Sequence, residues 1–204
     1  MIFKCGGRAG IPQYHPHQIE ERVAKVIERF KTLPCEHPSH VSKVEEETLI
    51  AAIPLFSEVE TSIERVPIDS AVDHGDLLEK NLLFSTKTSK YKWFDFGDSS
   101  WIHPFVSLDM IMDKRSFPYS DDTKKRIIDA YLSEWKKYYA NRYSMGELRM
   151  VFEGAIWLAA IRRAEIRLSI MEITTAGQLG EMASYGKDEL LYAAKLLINN
   201  DCFL

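Results

Sequence analysis

The sequence predicts an α+β fold that is mainly helical, and three observations carry that prediction. Apolar residues recur three and four apart over most of the chain, the spacing of one helix face. Between residues 71 and 96 this periodicity gives way to short apolar runs separated by Gly, Asp, Ser, Thr and Lys, the texture of strands and turns. Nothing repeats internally and no stretch is low-complexity, so the strands form one small insert that must rest on a helical body and display its loops.

Residues 17–33 place Ile19, Val23, Val26, Ile27 and Phe30 on one helical face, and Pro34 stops that helix. The polar run 35–42, CEHPSHVS, reads as a loop. Ser42, followed by Glu45 and Glu46, starts a second helix that extends towards Val66. Pro54 is expected to break or kink it, and Pro67 closes the region. Residues 81–96, NLLFSTKTSKYKWFDF, read as two short strands joined by a polar turn, with Trp93 and Phe94 as core residues. After Pro104 the helical pattern returns, at 105–112, 121–141, 146–171 and 187–199. Asp121 or Asp122 is the expected cap of the second of these, and Ser144, with Glu147 three residues on, forms a capping-box pattern before the third.

Composition narrows the function classes. Of 204 residues, 46% are hydrophobic and 27% charged, which is enough apolar material for a core and argues against disorder. Thirty acidic against 26 basic residues leave a net charge of −4, with no electrostatic reason to expect nucleic acid or an anionic membrane as partner. A phosphate-bearing ligand would then need a metal ion or a local basic group. Cys5, Cys35 and Cys202 fit neither a disulfide framework nor zinc spacing, so the expected compartment is reducing, the cytoplasm. The N-terminus lacks the apolar run of a signal peptide. The most apolar stretch, 151–161, contains Glu153 and runs into Arg162 and Arg163, and reads as a buried helix rather than a membrane span.

Two clusters carry chemistry: His74-Gly75-Asp76-Leu77-Leu78-Glu79-Lys80-Asn81 and Trp93-Phe94-Asp95-Phe96-Gly97-Asp98. Asp76 and Asn81, five apart on a tight loop, can project from one side of it. Asn81 opens the first strand and Asp95 closes the second, and an antiparallel hairpin returns its end beside its beginning. Asp76, Asn81 and Asp95 can therefore converge. Two carboxylates and an amide oxygen make a hard, all-oxygen set that suits Mg²⁺. Phosphoryl transfer asks for this set: one carboxylate for the acceptor hydroxyl, two oxygen ligands for metal on the phosphates. A bland reading, in which Asp76 and Asp95 are turn residues at strand ends, explains each alone but not their joint spacing.

His74-Gly75-Asp76, with Asn81 five residues after the Asp and then Asp95-Phe96-Gly97, resembles the catalytic loop and metal motif of the protein-kinase-like superfamily. Gly75, in place of Arg, and the continuation to His103-Pro104 and Asp109 are similar to the aminoglycoside phosphotransferase and choline kinase branch. The resemblance implies an ATP- and Mg²⁺-dependent kinase acting on a hydroxyl of a small molecule. In it Asp76 is the catalytic base or hydroxyl-orienting residue, and Asn81 and Asp95 are the metal ligands. His74 steadies the metal loop, Asp109 braces the catalytic loop from a buried position, and Gly75, Gly97 and Asp98 support the loops. Asp98 reads as a loop cap before it reads as a ligand.

The implied architecture is the C-terminal lobe of such a kinase over residues 67–204. Its catalytic and metal loops fall in 67–112, a helical substrate subdomain in 113–204, and a helical segment over 1–66 precedes them. The family's N-terminal ATP lobe, with its strands, phosphate-covering loop and strand lysine, has no counterpart in residues 1–66, which are mostly helical in pattern. Cys5-Gly6-Gly7-Arg8-Ala9-Gly10 lacks the register of a nucleotide loop, and Lys25 lies in a helix pattern. The lobe is therefore expected to be lost, removed or supplied by a partner. A non-catalytic kinase-like binding or regulatory module is the alternative. A metal-dependent hydrolase would want further His and Asp ligands.

The remaining candidates have plain readings. Glu134, Trp135, Tyr138 and Tyr139 form an acidic-aromatic patch that could take a cationic acceptor, but read first as a packed helix face with a solvated Glu. Arg162, Arg163 and Arg167 read as a solvated helix face. His15, His17, His37 and His40 lie in loop-like sequence without a ligand framework.

Overall fold

The computed structural model describes residues 11–14, 18–112 and 119–200. Cys5–Gly10, His15, His17 and Cys202 lie outside the described residues. The elements are α1 (Ile19–Lys31), α2 (Lys43–Glu64), β1 (Ala71–Asp73), β2 (Leu82–Ser85), β3 (Lys90–Trp93), β4 (Ser100–Ile102), α3 (Asp109–Met112), α4 (Asp121–Tyr138), α5 (Met145–Met171), α6 (Ala176–Leu179) and α7 (Tyr185–Ile198), with 3₁₀ turns at Glu79–Asn81, Pro104–Leu108 and Gly180–Ser184. The fold is mainly helical α+β with small sheets, as the periodicity predicts. Among the described residues no helix is long and apolar enough to cross a membrane.

The chain divides into two compact units. One comprises residues 16–66 and 149–204 and is helical. The face of α1 expected to be apolar, Ile19, Val23, Val26, Ile27 and Phe30, is buried. Ser42 caps α2 in a full capping box with Glu45, satisfying two of the backbone donors a helix start leaves open. Burial alone would raise the Glu45 carboxyl, but hydrogen bonds from Ser42 and then the Lys187 ammonium, 3.0 Å away, hold it below the usual carboxylate range. Of the break or kink expected at Pro54, the break does not occur: α2 runs on through it. Both Pro54 and Ile50, whose carbonyl loses its helical donor, are exposed, so water can take that carbonyl.

Residues 151–161 are buried apart from Glu153, as a helix apolar nearly all round should be. The arginines that follow correct the sequence reading. Arg162 is buried, Arg163 meets Glu189 at 2.8 Å, and the stem of Arg167 packs where Gly186 leaves room. This is a packed face, held by the stems and by ion pairing, not a solvated one.

The other unit comprises residues 1–15 and 67–148. It holds two antiparallel pairs, β1 with β4 and β2 with β3. The hairpin appears where expected, with Leu82 opposite Trp93 and Phe84 opposite Tyr91. Trp93 and Phe94 are not core: they are 41% and 40% exposed, and Phe84 and Tyr91 are exposed with them. The two four-residue strands pair only with each other, and among the described residues no second layer covers their aromatic face. Three-residue β1 pairs with β4, and residues 12–14 add backbone bonds to Trp101 on the far side of β4.

Residues 104–108 form a 3₁₀ turn before α3 rather than a continuous helix, because Pro104 and the His103 cap tighten the start. Ser120, not Asp121 or Asp122, caps α4. Its backbone is extended as a cap requires, leaving the aspartates in the first turn to face the helix dipole. The Ser144–Glu147 capping box forms as expected. On α4, Trp135 and Tyr139 stack, with Phe105, Tyr131 and Tyr143 around them, while exposed Glu134 pairs with Lys137. Trp135 and Tyr139 thus match the packed-face reading of the aromatic patch, whereas Tyr138, half exposed, does not.

Candidate active site

β1 ends at Asp73, and the chain turns at once through His74 and Gly75. Gly75 has φ 83°, a left-handed conformation that a side chain would strain. His74 accepts the Asp76 N–H at Nδ1, 3.3 Å, which places the ring proton on Nε2; Nε2 donates to the Phe94 carbonyl at 2.8 Å. One imidazole thus ties the first motif to the second. Its ring also lies 4.6 Å from that of Phe96 and 5.7 Å from that of Trp93.

The loop then closes on itself. Leu78 N–H donates to the Asp76 carbonyl and Asn81 N–H to the Leu78 carbonyl, forming the 3₁₀ turn that buries Asn81. Asn81 Nδ2 donates to both the Asp76 carbonyl and Asp76 Oδ2, each 2.9 Å. Lys80 Nζ lies 3.0 Å from the same Oδ2. With both amide protons committed to Asp76, Asn81 Oδ1 keeps its lone pairs, taking no hydrogen bond from the described residues.

Phe94 N–H donates to the Asn81 carbonyl at 3.1 Å, so its two backbone groups are held by Asn81 and His74. Asp95 follows with φ 61° and an exposed carboxylate that makes no hydrogen bond to the described residues. Gly97 lies under that carboxylate, for a Cβ there would meet Asp95 Oδ1 at 3.5 Å. Ser99 N–H closes the turn on the Phe96 carbonyl at 3.1 Å, with Asp98 exposed on it. Asp109 is buried at the first position of α3.

The structure therefore brings Asp76 and Asn81 into direct contact; it ties Phe94, the residue before Asp95, to the Asn81 carbonyl, while the Asp95 carboxylate makes no hydrogen bond to either. No cluster of three His, Cys, Asp or Glu side chains suited to a metal occurs among the described residues. The oxygen set here is two carboxylates and an amide, which chemically suits a hard cation. His37 and His40 serve their own loop, accepting from Ser39 N–H and meeting the Leu33 carbonyl.

Two residues beside the site carry no sequence signal. Asp73, buried, accepts the Ser107 hydroxyl at 2.7 Å. Ser107 falls in the stretch expected to be helical, 105–112, and only the pairing of β1 with β4 brings it to Asp73.

No family model matches the chain, and no curated protein does. Among solved structures it is similar to an ethanolamine kinase of Plasmodium vivax, with a TM-score of 0.56 at 17% identity, over 88% of this chain and 50% of that one. The chain thus spans half the length of the solved relative. At that identity the likeness speaks for the fold alone, and the fold it shows is part of a kinase-like one.

Proposed function

We propose that the chain carries the catalytic and metal-binding loops of a phosphotransferase that moves the γ-phosphoryl group of ATP to a hydroxyl of a small molecule. The observation that carries this reading is the double hydrogen bond from Asn81 to Asp76, beside a His74 that spans from Asp76 to Phe94. Asp76, steadied at Oδ2 by Asn81 and Lys80, orients the acceptor hydroxyl and receives its proton as oxygen bonds to phosphorus and the bond to ADP breaks. Asn81 Oδ1 and the Asp95 carboxylate are the groups that would hold Mg²⁺. Bound there, the ion would offset phosphate charge that a chain of net charge −4 does not otherwise neutralise.

The test is calorimetric titration of the full chain with ATP, with and without Mg²⁺, beside Asp95→Ala. Magnesium-dependent binding that disappears in the variant supports the reading, and acceptor screening follows. Absence of binding by the parent chain favours the second reading, a kinase-like binding or regulatory module.

A further inference from the structure

Asp73 is a carboxylate 2% exposed, and no role in the proposed transfer uses it. It ends β1, opposite Ser100 of β4, and Ser107 Oγ donates to its Oδ1 at 2.7 Å. Ser107 belongs to the 3₁₀ turn Pro104–Leu108, which is fixed from two sides. His103 Nδ1 accepts the Phe105 N–H at 3.2 Å, and the Tyr131 hydroxyl of α4 donates to the Pro104 carbonyl at 2.8 Å. Burial raises the Tyr131 phenol, with the nearby Asp73 charge acting in the same direction, so Asp73, Ser107 and Tyr131 share one polar site.

A buried carboxylate is a poor device for stability, since an apolar residue of similar volume usually serves as well or better. Its place in the chain offers another reason. The next residue is His74, whose two ring nitrogens hold the Asp76 N–H and the Phe94 carbonyl. A shift of the β1 end would swing that ring and move both motifs.

We propose that Asp73 and Ser107 are a positioning pair, in which the hydroxyl–carboxylate bond pins the end of β1 and so sets the angle of the His74 ring between the two motifs. Neither residue touches the reacting atoms; both act through His74. The pair rests on the phosphotransferase reading only for its effect on rate.

The experiment compares the full chain with Ser107→Ala and Ser107→Thr, the latter keeping the hydroxyl. Two readouts are taken: nitrogen-15 NMR of the His74 Nε2–H and the Asn81 side-chain amide, and phosphoryl transfer from Mg-ATP. In Ser107→Ala these two signals shift and exchange on the order of 10-fold faster, while amides of α4 keep their protection and Ser107→Thr restores the parent spectrum. Turnover falls by roughly 10–100-fold with KM for ATP unchanged. Unchanged His74 and Asn81 signals in Ser107→Ala overturn the pair. Uniformly faster exchange through α4 also overturns it, by showing a merely structural bond. Should Ser107→Ala not fold, Ser107→Cys, a weaker donor, is expected to give the same local shift in smaller degree. A parent chain without turnover counts against the phosphotransferase reading, while the NMR comparison still decides the pair.

Discussion

Asn81 holds Asp76 twice, its side-chain amide donating at 2.9 Å to both the carboxylate and the backbone carbonyl of the aspartate. The same side chain therefore shapes the loop and orients the group proposed to meet the acceptor. Asn81→Ala removes both bonds, leaving the Asp76 carbonyl with the Leu78 N–H alone and its carboxylate without the amide that orients it. Activity is expected to fall by at least about 100-fold, as for loss of a preorganised polar group at a reacting centre. Asn81→Asp, which offers oxygens but no N–H, is expected to lose activity as well. Steady-state kinetics checks both; an Asn81→Asp variant with parental kcat would separate the amide from the chemistry.

Burial pushes the His103 imidazole down to about 3, so it stays neutral in the folded chain. An unfolded histidine takes up its proton near pH 6.5. The folded value lies below the unfolded one, so acid favours the unfolded chain: the penalty is absent above about pH 6.5 and grows as pH falls towards 3. Its slope is about 1.4 kcal/mol per pH unit, or roughly 2 kcal/mol between pH 6.5 and 5. Urea unfolding at pH 7, 6 and 5 should show that fall, and His103→Gln should flatten most of it. Parallel slopes in parent and variant would assign the acid sensitivity elsewhere.

Two glycines should respond to Ala in opposite directions. At Gly186 a Cβ would meet Arg167 Cβ at 2.7 Å and Ala164 Cα at 3.2 Å, and neither can retreat without moving a helix. Overpacking of about 1–3 kcal/mol outweighs the propensity gain of about 1 kcal/mol, so Gly186→Ala should destabilise. At Gly146 the nearest atom to a Cβ is Ser144 Oγ at 3.9 Å, and Gly146→Ala should stabilise by about 0.5–1 kcal/mol. Chemical denaturation of both variants checks the pair of signs.

Exposure separates two tryptophans that look alike in sequence. Trp93→Ala, on the open face of the hairpin, should cost less than about 1 kcal/mol of stability. Trp157→Ala, at 8% exposure within α5, should cost about 3–5 kcal/mol. Equal losses in denaturant melts would mean that the hairpin face is covered in solution.

Helices were legible because a 3.6-residue period repeats over many turns, as in α1 and α2, and because capping boxes at Ser42 and Ser144 announce their starts. The loop contact between Asp76 and Asn81 was legible from their spacing. Strands β1 and β4, three residues each, carry no period at all, and so the Asp73–Ser107 bond they create stayed hidden. Trp93 misled because its apolar surface says nothing about whether a second layer exists to receive it. Arg162 misled for the opposite reason: charge suggests solvent, whereas the buried stem reflects what surrounds it.

The helical unit is built from residues on both sides of its neighbour in the chain, 16–66 and 149–204, and α2 packs on α7 within it. During synthesis α1 and α2 thus leave the ribosome well before the helix that completes their core. The roughly 120 residues between the end of α2 and the start of α7 take on the order of 6–24 s to translate at 5–20 residues per second. For that interval the surface of α2 that packs on α7 faces either solvent or a chaperone, while the hairpin-bearing unit, contiguous from residue 67 to 148, has the whole of its stretch in hand first.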